Sequence, residues 1–384
     1  MTSTPLRIVV VDDSALFRQM LQNVARSIPG VEVVGTAANG VEAVEVVERC
    51  RPDALTLDIQ MPVKSGIDVL RELRQRRNPA RAIMVSSLTA PGAQATVEAL
   101  MEGAFDFVLK PAGVDPHVGR AQLVVELAAK FDAVRGSIVP APAAVASPTP
   151  RPTAAVAADG FAAVVIGTST GGPEALRVVI PGLSAGLGVP VFVVQHIPPM
   201  FSATLAARLD AMSAVSVVEA ADGMPAEPGR VHVAPGGHHL VVRRQSGRLV
   251  CGIDDGAARL GCRPSVDVLL ESLVQAAGSN RILAVILTGM GADGTSGCAA
   301  VKAHGGQVIV QAREGCTVWG MPKSVQERGL CDAVEPLPRI AAAVHERLAT
   351  HPRWNPDRDA RGATPGDAAA AGKPYPPGPG RQIG

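Results

Sequence analysis

The sequence predicts two α/β units in one chain, each built on a parallel sheet and joined by a proline-rich segment. Three observations carry this. Short β-branched runs alternate with stretches of helical period from Arg7 to about residue 129. A second such series begins at Phe161. Between them lies VPAPAAVASPTPRPTAAVAA, where repeated proline denies both helix and sheet. A length of 384 residues suits two or three domains.

In the first unit, strands are expected at Ile8–Val11, Val31–Thr36, Ala54–Leu57, Ala82–Val85 and Asp106–Leu109, each followed by a helix. In the second, they are expected at Ala162–Gly167, Val191–Gln195, Val215–Val218, Val231–Ala234, Ile282–Thr288 and Gln307–Val310. His239–Arg243 and Arg248–Gly252 flank Gln245-Ser246-Gly247, a hairpin inserted into a doubly wound, mostly parallel scheme. The expected division is 1–130 for the first domain, 131–160 for a flexible linker, 161–350 for the second domain and 351–384 for a disordered tail. That tail is rich in Pro, Gly, Ala and Asp and contains PYPPGPG.

Composition narrows the function. Lys plus Arg number 36 against 35 Asp plus Glu, so no broad field grips nucleic acid or an acidic membrane. The arginines at 71, 74, 76, 77 and 81 read as a solvated helix face with its C-terminal cap, because Glu72 interrupts them and no aromatics interleave them. A transcriptional regulator would need a basic recognition helix that is not seen. Six cysteines without C-x-x-C spacing indicate neither a zinc knuckle nor a dithiol motif, but scattered thiols in a reducing compartment. No signal peptide and no run of about 18 apolar residues is found, so the expectation is a cytoplasmic protein without membrane insertion.

The chemistry gathers at strand ends. In the first unit, Asp12-Asp13, Asp58, Ser86-Ser87 and Lys110 all follow strands and therefore share one carboxyl edge of a parallel sheet. Clustered carboxylates repel one another, and a hard cation such as Mg2+ relieves them; with a lysine and a hydroxyl beside it, the edge suits a phosphoryl group. In the second unit, one strand runs into Gly167-Thr168-Ser169-Thr170-Gly171-Gly172-Pro173-Glu174. A serine on such a turn is a nucleophile candidate, although helix capping or a phosphate-binding loop would use the same residues. Another strand delivers His196 before Ile197-Pro198-Pro199, and a third delivers Gly289-Met290-Gly291-Ala292-Asp293-Gly294. Ser, His and Asp thus reach one rim, the set needed to deprotonate a hydroxyl and orient its base. Their chain order disfavours the α/β-hydrolase fold. GMGADG also matches a dinucleotide fingerprint, with Glu314 about 20 residues on, but too few strands remain after it to complete a nucleotide-binding domain.

The first unit, over about residues 6–130, resembles the flavodoxin-like receiver domain of two-component response regulators. The resemblance implies that Asp58 accepts phosphate from a sensor histidine kinase. Asp13 would bind Mg2+ directly, Asp12 through water, and Gln60 through its backbone carbonyl. Ser86 and Lys110 would contact the phosphoryl oxygens, and Phe107 occupies the aromatic switch position. Lys64-Ser65 departs from the Met-Asp that many receivers carry before the glycine, which implies a tuned phosphoryl lifetime.

The loops GTSTGG, QHIPP and LTGMGADG, over about residues 161–348, resemble the catalytic domain of the chemotaxis protein-glutamate methylesterase family. By that resemblance Ser169 is the nucleophile, His196 the general base and acid, and Asp293 the residue holding the imidazole. Backbone N–H groups of Thr170 and Met290 are the oxyanion candidates, and the catalytic domain takes no cofactor. The implied substrate is a methylated glutamate on the cytoplasmic helices of a methyl-accepting chemoreceptor, with glutamine deamidation as a second activity. The receiver would cover the rim until phosphorylated. The alternative is a phosphorylation-controlled binding or nucleotide-binding module without esterase chemistry.

Overall fold

The structure, a computed structural model, describes residues 4–111, 116–138, 160–278 and 281–350. The expected tail and most of the expected linker lie outside the described residues.

The first unit alternates β1 (Leu6–Val11), α1 (Ala15–Ser27), β2 (Val31–Ala37), α2 (Gly40–Cys50), β3 (Ala54–Asp58), α3 (Gly66–Gln75), β4 (Arg81–Ser86), α4 (Ala90–Met101), β5 (Asp106–Leu109) and α5 (Pro116–Ile138). Its sheet is parallel throughout, in the order β2-β1-β3-β4-β5. Side chains alternate across it: Val9, Val11, Leu55 and Leu57 fill one core, and Ile8 and Val10 the other. Caps start the helices where the sequence offers them, as when Ser14 Oγ accepts from the Phe17 N–H at 3.3 Å. The first domain was expected to end at residue 130, yet α5 runs on to Ile138. Phe131 and Val134 are fully buried, and that contact holds the helix beyond the expected boundary.

The second unit follows as β6 (Phe161–Thr168), α6 (Gly172–Val179), β7 (Val191–Gln195), α7 (Phe201–Ala211), β8 (Ser216–Glu219), β9 (Arg230–Val233), β10 (His239–Gln245) and β11 (Arg248–Asp254). It continues with α8 (Val266–Ala277), β12 (Arg281–Ile286), α9 (Thr295–Ala303), β13 (Gln307–Gln311), α10 (Met321–Glu327), β14 (Ala333–Glu335) and α11 (Ile340–Ala349). Seven parallel strands lie in the order β14-β13-β12-β6-β7-β9-β8. The hairpin β10-β11 does not join them; it forms its own two-stranded sheet, tied to α8 where Ser272 Oγ accepts the Val242 N–H at 3.0 Å. β14 escaped the sequence reading because it is three half-buried residues, too short to show a period.

β6 is buried along its whole length, as a central parallel strand must be. Val164 and Ile166 face one core while Val165 faces the other. From β6 the chain goes outward to β7 and the edge strand β8, comes back inward with β9 between them, and later returns to place β12 on the opposite side of β6. The carboxyl ends of β6, β7 and β12 are therefore adjacent, where open parallel sheets collect functional groups. Ala93, Val97 and Met101 of α4 are buried in the same cluster as Leu176 of α6 and Leu205 of α7. One apolar face of the first unit is thus closed against the second.

Candidate functional sites at two sheet edges

At the first edge, β1 and β3 deliver Asp12 and Asp58, both buried, and the exposed Asp13 completes a cluster whose candidate donor oxygens lie within 4.8 Å of one another. Lys110, beyond β5, donates to Asp58 Oδ2 at 2.7 Å, and its Nζ lies 2.9 Å from Asp12 Oδ2. Asp12 Oδ2 is buried, with the Lys110 ammonium as its ionic neighbour and no other donor among the described residues. Burial raises the Asp58 carboxyl above its ordinary pKa, and the Asp12 charge adds to this, against the lowering effect of Lys110. Three clustered carboxylates, two of them buried and sharing one ammonium, with the Asp58 acid pushed upward, make the electrostatic condition that a hard divalent cation would relieve, so the donor set fits one. Gly66 opens α3 so close to β3 that a Cβ there would stand 2.1 Å from the Asp58 carbonyl oxygen; only glycine permits this approach.

Ser86, Asp13, Asp58, Gln60 and Lys110 line a single cleft of about 140 Å³. The Ser86 hydroxyl is turned toward α4, accepting from Thr96 Oγ1 at 2.6 Å. Phe107 stacks on Phe201 of the second unit, with ring centroids 5.1 Å apart. In the departing segment, Ser65 caps α3 by accepting the Asp68 N–H at 3.2 Å, and Lys64 pairs with Glu72. Val63 before them is left-handed at φ 70°, a conformation costly for a β-branched residue.

At the second edge, three loops interlock. The Ser169 N–H donates to the Thr288 carbonyl at 3.0 Å, and the Thr168 hydroxyl donates to the same oxygen at 2.8 Å. Gly171 is left-handed at φ 78°, with a hypothetical Cβ 2.2 Å from Thr317 Oγ1, so the turn into α6 requires glycine. Gly289 packs so closely on this turn that its Cβ would lie 2.8 Å from that of Ser169. The N–H groups of Thr170 and Met290 donate to no protein acceptor among the described residues.

His196 follows β7, and its Nε2 lies 2.7 Å from Asp293 Oδ2. Asp293 is anchored by the Ser265 hydroxyl at 2.8 Å and by the N–H groups of Val266 at 2.8 Å, Gly294 at 3.0 Å and Asp267 at 3.1 Å. Burial raises the Asp293 pKa, but the bond from His196 and these donors outweigh it and hold the carboxyl below its ordinary value. Burial opposes the charged form of His196, yet the Asp293 carboxylate and Cys262 raise its pKa to about 9. Because Asp293 occupies Nε2, Nδ1 is the nitrogen left to face the cleft, where Cys262 Sγ stands 3.5 Å away. Among the described hydrogen bonds none joins Ser169 Oγ to His196, although both line the same cleft. Two supporting residues went unnoticed in the sequence. Gln195 ties the Ser169 and His196 carbonyls together through its amide, each at 3.0 Å, and Ser265 caps α8 while holding Asp293. A terminal strand glutamine and a serine after proline carry no distinguishing sequence signal.

The cleft holding Ser169 and His196, about 370 Å³, is walled on its far side by Leu100, Asp106, Phe107 and Lys130 of the first unit. The Thr170 hydroxyl, next to Ser169, donates to Asp106 Oδ2 at 2.5 Å, and Lys130 Nζ donates to the same oxygen at 2.6 Å. Arg208 and Glu98 pair across the boundary at 2.6 Å. The GMGADG loop does not form a dinucleotide cradle: its aspartate turns inward to His196 and α8, and its first glycine packs against Ser169.

Fold and sites define a response regulator, a receiver unit whose apolar face covers the working edge of an α/β output unit. Residues 8–120 match the family described as response regulator receiver domain, and residues 164–344 match the family described as CheB methylesterase. The protein-glutamate methylesterase/protein-glutamine glutaminase of Geobacillus kaustophilus is 43% identical over 344 residues, 88% of this chain and 97% of its own. Its namesake from Thermotoga maritima is 43% identical over 340 residues, covering 88% of this chain and 98% of its own. The crystal structure of the Thermotoga maritima CheB methylesterase catalytic domain is 44% identical and covers 49% of this chain and 98% of that one, with a TM-score of 0.47. The chain belongs to the CheB methylesterase family. Among the described residues no helix is long and apolar enough to cross a membrane.

Proposed function

We propose that this chain is a phosphorylation-activated serine esterase that hydrolyses glutamate methyl esters on the cytoplasmic helices of chemoreceptors and deamidates glutamine there. The observation that carries it is the His196–Asp293 pair at 2.7 Å, locked by Ser265 and three backbone N–H groups and set in the same cleft as Ser169. With Asp293 holding the proton on Nε2, the Nδ1 lone pair takes the Ser169 hydroxyl proton as Oγ attacks the ester carbonyl. The tetrahedral oxyanion is held by N–H groups that lack a protein acceptor, those of Thr170 and Met290. His196 then gives its proton to the leaving oxygen, which departs as methanol, or, for glutamine, to the leaving amide nitrogen, which departs as ammonia. Water hydrolyses the acyl-serine through the same imidazole.

The receiver is read as the gate. Asp58 takes the phosphoryl group from a sensor histidine kinase; Asp13, Asp58 and the Gln60 carbonyl would hold Mg2+ there, with Asp12 contributing through water. A cation held there would supply charge neutralisation for the incoming phosphoryl group. Lys110 and Ser86 contact its oxygens. Movement of Ser86 toward Asp58 would free space beside α4 and draw Phe107 from Phe201, loosening the covered face. The six cysteines, all unpaired, accord with a reducing, cytoplasmic setting.

The direct test is methanol release from methyl-labelled receptor membranes, with and without a small phosphodonor and Mg2+. Ser169→Ala should lose at least about 1,000-fold in rate while keeping the fold. Asp58→Ala should keep basal release and lose stimulation. Near-normal turnover by Ser169→Ala would overturn the assignment.

A further inference from the structure

A second group of metal-ligating side chains lies at the output edge: His196, Cys262 and Asp293, whose candidate donor atoms all fall within 4.8 Å of one another. Acyl transfer uses the histidine and the aspartate but has no use for the thiol. Cys262 is nevertheless held in place. Arg259 and Cys262 exchange backbone hydrogen bonds of 3.0 and 2.9 Å around Leu260 and Gly261, both left-handed at φ 51° and 78°, which makes a tight two-residue turn. The Arg259 guanidinium fastens that turn to α8 through two 2.7 Å bonds to Glu271. The turn brings Cys262 Sγ to 3.5 Å from His196 Nδ1.

That separation has a coordination meaning. Zinc–sulfur bonds of about 2.3 Å and zinc–nitrogen bonds of about 2.0–2.1 Å, meeting at a tetrahedral angle, place the two donor atoms about 3.5 Å apart. The other imidazole nitrogen already meets the Asp293 carboxylate at 2.7 Å, the outer-shell partner that zinc-bound histidines usually have. A thiolate with an imidazole favours a soft or borderline cation over the hard one suited to the receiver carboxylates. Cys262 and His196 both line the cleft of about 370 Å³ between the two units, so the remaining coordination positions face its free volume.

We propose that Cys262 Sγ and His196 Nδ1 form an inhibitory site for zinc. Resting on the reading of His196 as the general base, the consequence is direct: a cation on Nδ1 occupies the lone pair that must accept the Ser169 proton. On binding at neutral pH, the Cys262 thiol and the His196 imidazolium, from Nδ1, each give a proton to solvent as the zinc–sulfur and zinc–nitrogen bonds form, with no change of oxidation state.

The test titrates Zn2+ alone into reduced full-length protein against a chromogenic chelator, with excess Mg2+ present to occupy the receiver. One zinc per chain is expected at this site, with affinity falling at least about 100-fold in Cys262→Ser and in His196→Gln, and unchanged in Cys331→Ser. Co2+ in place of zinc should give a thiolate-to-metal charge-transfer band that Cys262→Ser lacks. Zn2+ should inhibit methanol release over the concentration range in which it binds, and Cys262→Ser should need at least tenfold more. Unchanged zinc affinity in Cys262→Ser, or a charge-transfer band that persists in it, overturns the proposal. The two histidine and cysteine variants reach the site independently, so misfolding of one leaves the other decisive. If wild type releases no methanol, the esterase reading fails while the binding and cobalt measurements still decide the metal site.

Discussion

Removing the Asp106 carboxylate should switch the enzyme partly on without phosphorylation. Asp106 Oδ2 accepts the Thr170 hydroxyl at 2.5 Å, one residue from Ser169, and both partners are buried, 6% and 5% exposed. A hydrogen bond to a charged group in such a place contributes about 1.5–3 kcal/mol. At about 1.4 kcal/mol per tenfold, losing it shifts the closed-to-open ratio roughly 10- to 150-fold. The Arg208–Glu98 pair across the same boundary is weaker: its side chains are 39% and 30% exposed, and such pairs contribute about 0.2–1 kcal/mol, at most about fivefold. Asp106→Ala should therefore raise basal methanol release tenfold or more, and Arg208→Ala by no more than about fivefold. Thr170→Val, which leaves the receiver intact, should match Asp106→Ala, and the double variant should add little, since one bond is being removed twice. Basal release that stays flat in both single variants, with Arg208→Ala the stronger activator, would refute the argument that burial decides which contact holds the gate shut.

Other expectations follow from the same geometry. With its pKa raised to about 9, His196 is cationic in the closed form at neutral pH, so basal release should climb as pH approaches 9. The folded state binds that proton between about pH 6.5 and 9 where the unfolded state does not, so the stability it contributes is fully present below about 6.5 and lost through 9. Urea unfolding of wild type against His196→Gln at pH 6 and pH 10 should show a difference on the order of 3 kcal/mol that vanishes at the higher pH. Chelating Mg2+ with EDTA, or replacing Lys110 by Ala, should abolish phosphodonor stimulation and leave basal release in place, read in the same methanol assay. Gly171→Ala combines a left-handed φ of 78° with a Cβ 2.2 Å from Thr317 Oγ1, and should lower unfolding free energy by about 2–4 kcal/mol in a urea titration.

Much of this was legible in the sequence because strand-end chemistry is local. Asp12, Asp58 and Lys110 each follow a short, mostly apolar run, and a parallel sheet has one carboxyl edge, so convergence followed from topology alone. The same holds for Ser169, His196 and Asp293. Residues that act by reaching between loops left no trace: Gln195 is one more strand-end amide, yet its side chain joins the serine and histidine turns. Ser265 read as an ordinary residue before a helix, and only the fold shows its hydroxyl on Asp293. The hairpin was visible in its turn residues, but its detachment from the main sheet depends on where α8 packs.

By itself, then, the sequence determined the two parallel sheets and which residues stand at their edges, since side-chain period and strand-helix alternation are properties of neighbouring residues. Tertiary structure alone decided the relation between those edges. That Nε2 of His196 meets Asp293 while Nδ1 faces Cys262, and that Asp106 of one unit accepts a bond from Thr170 of the other, depends on residues 64 to 97 positions apart being brought within hydrogen-bonding reach. No local pattern encodes such distances; they are set by how buried faces pack.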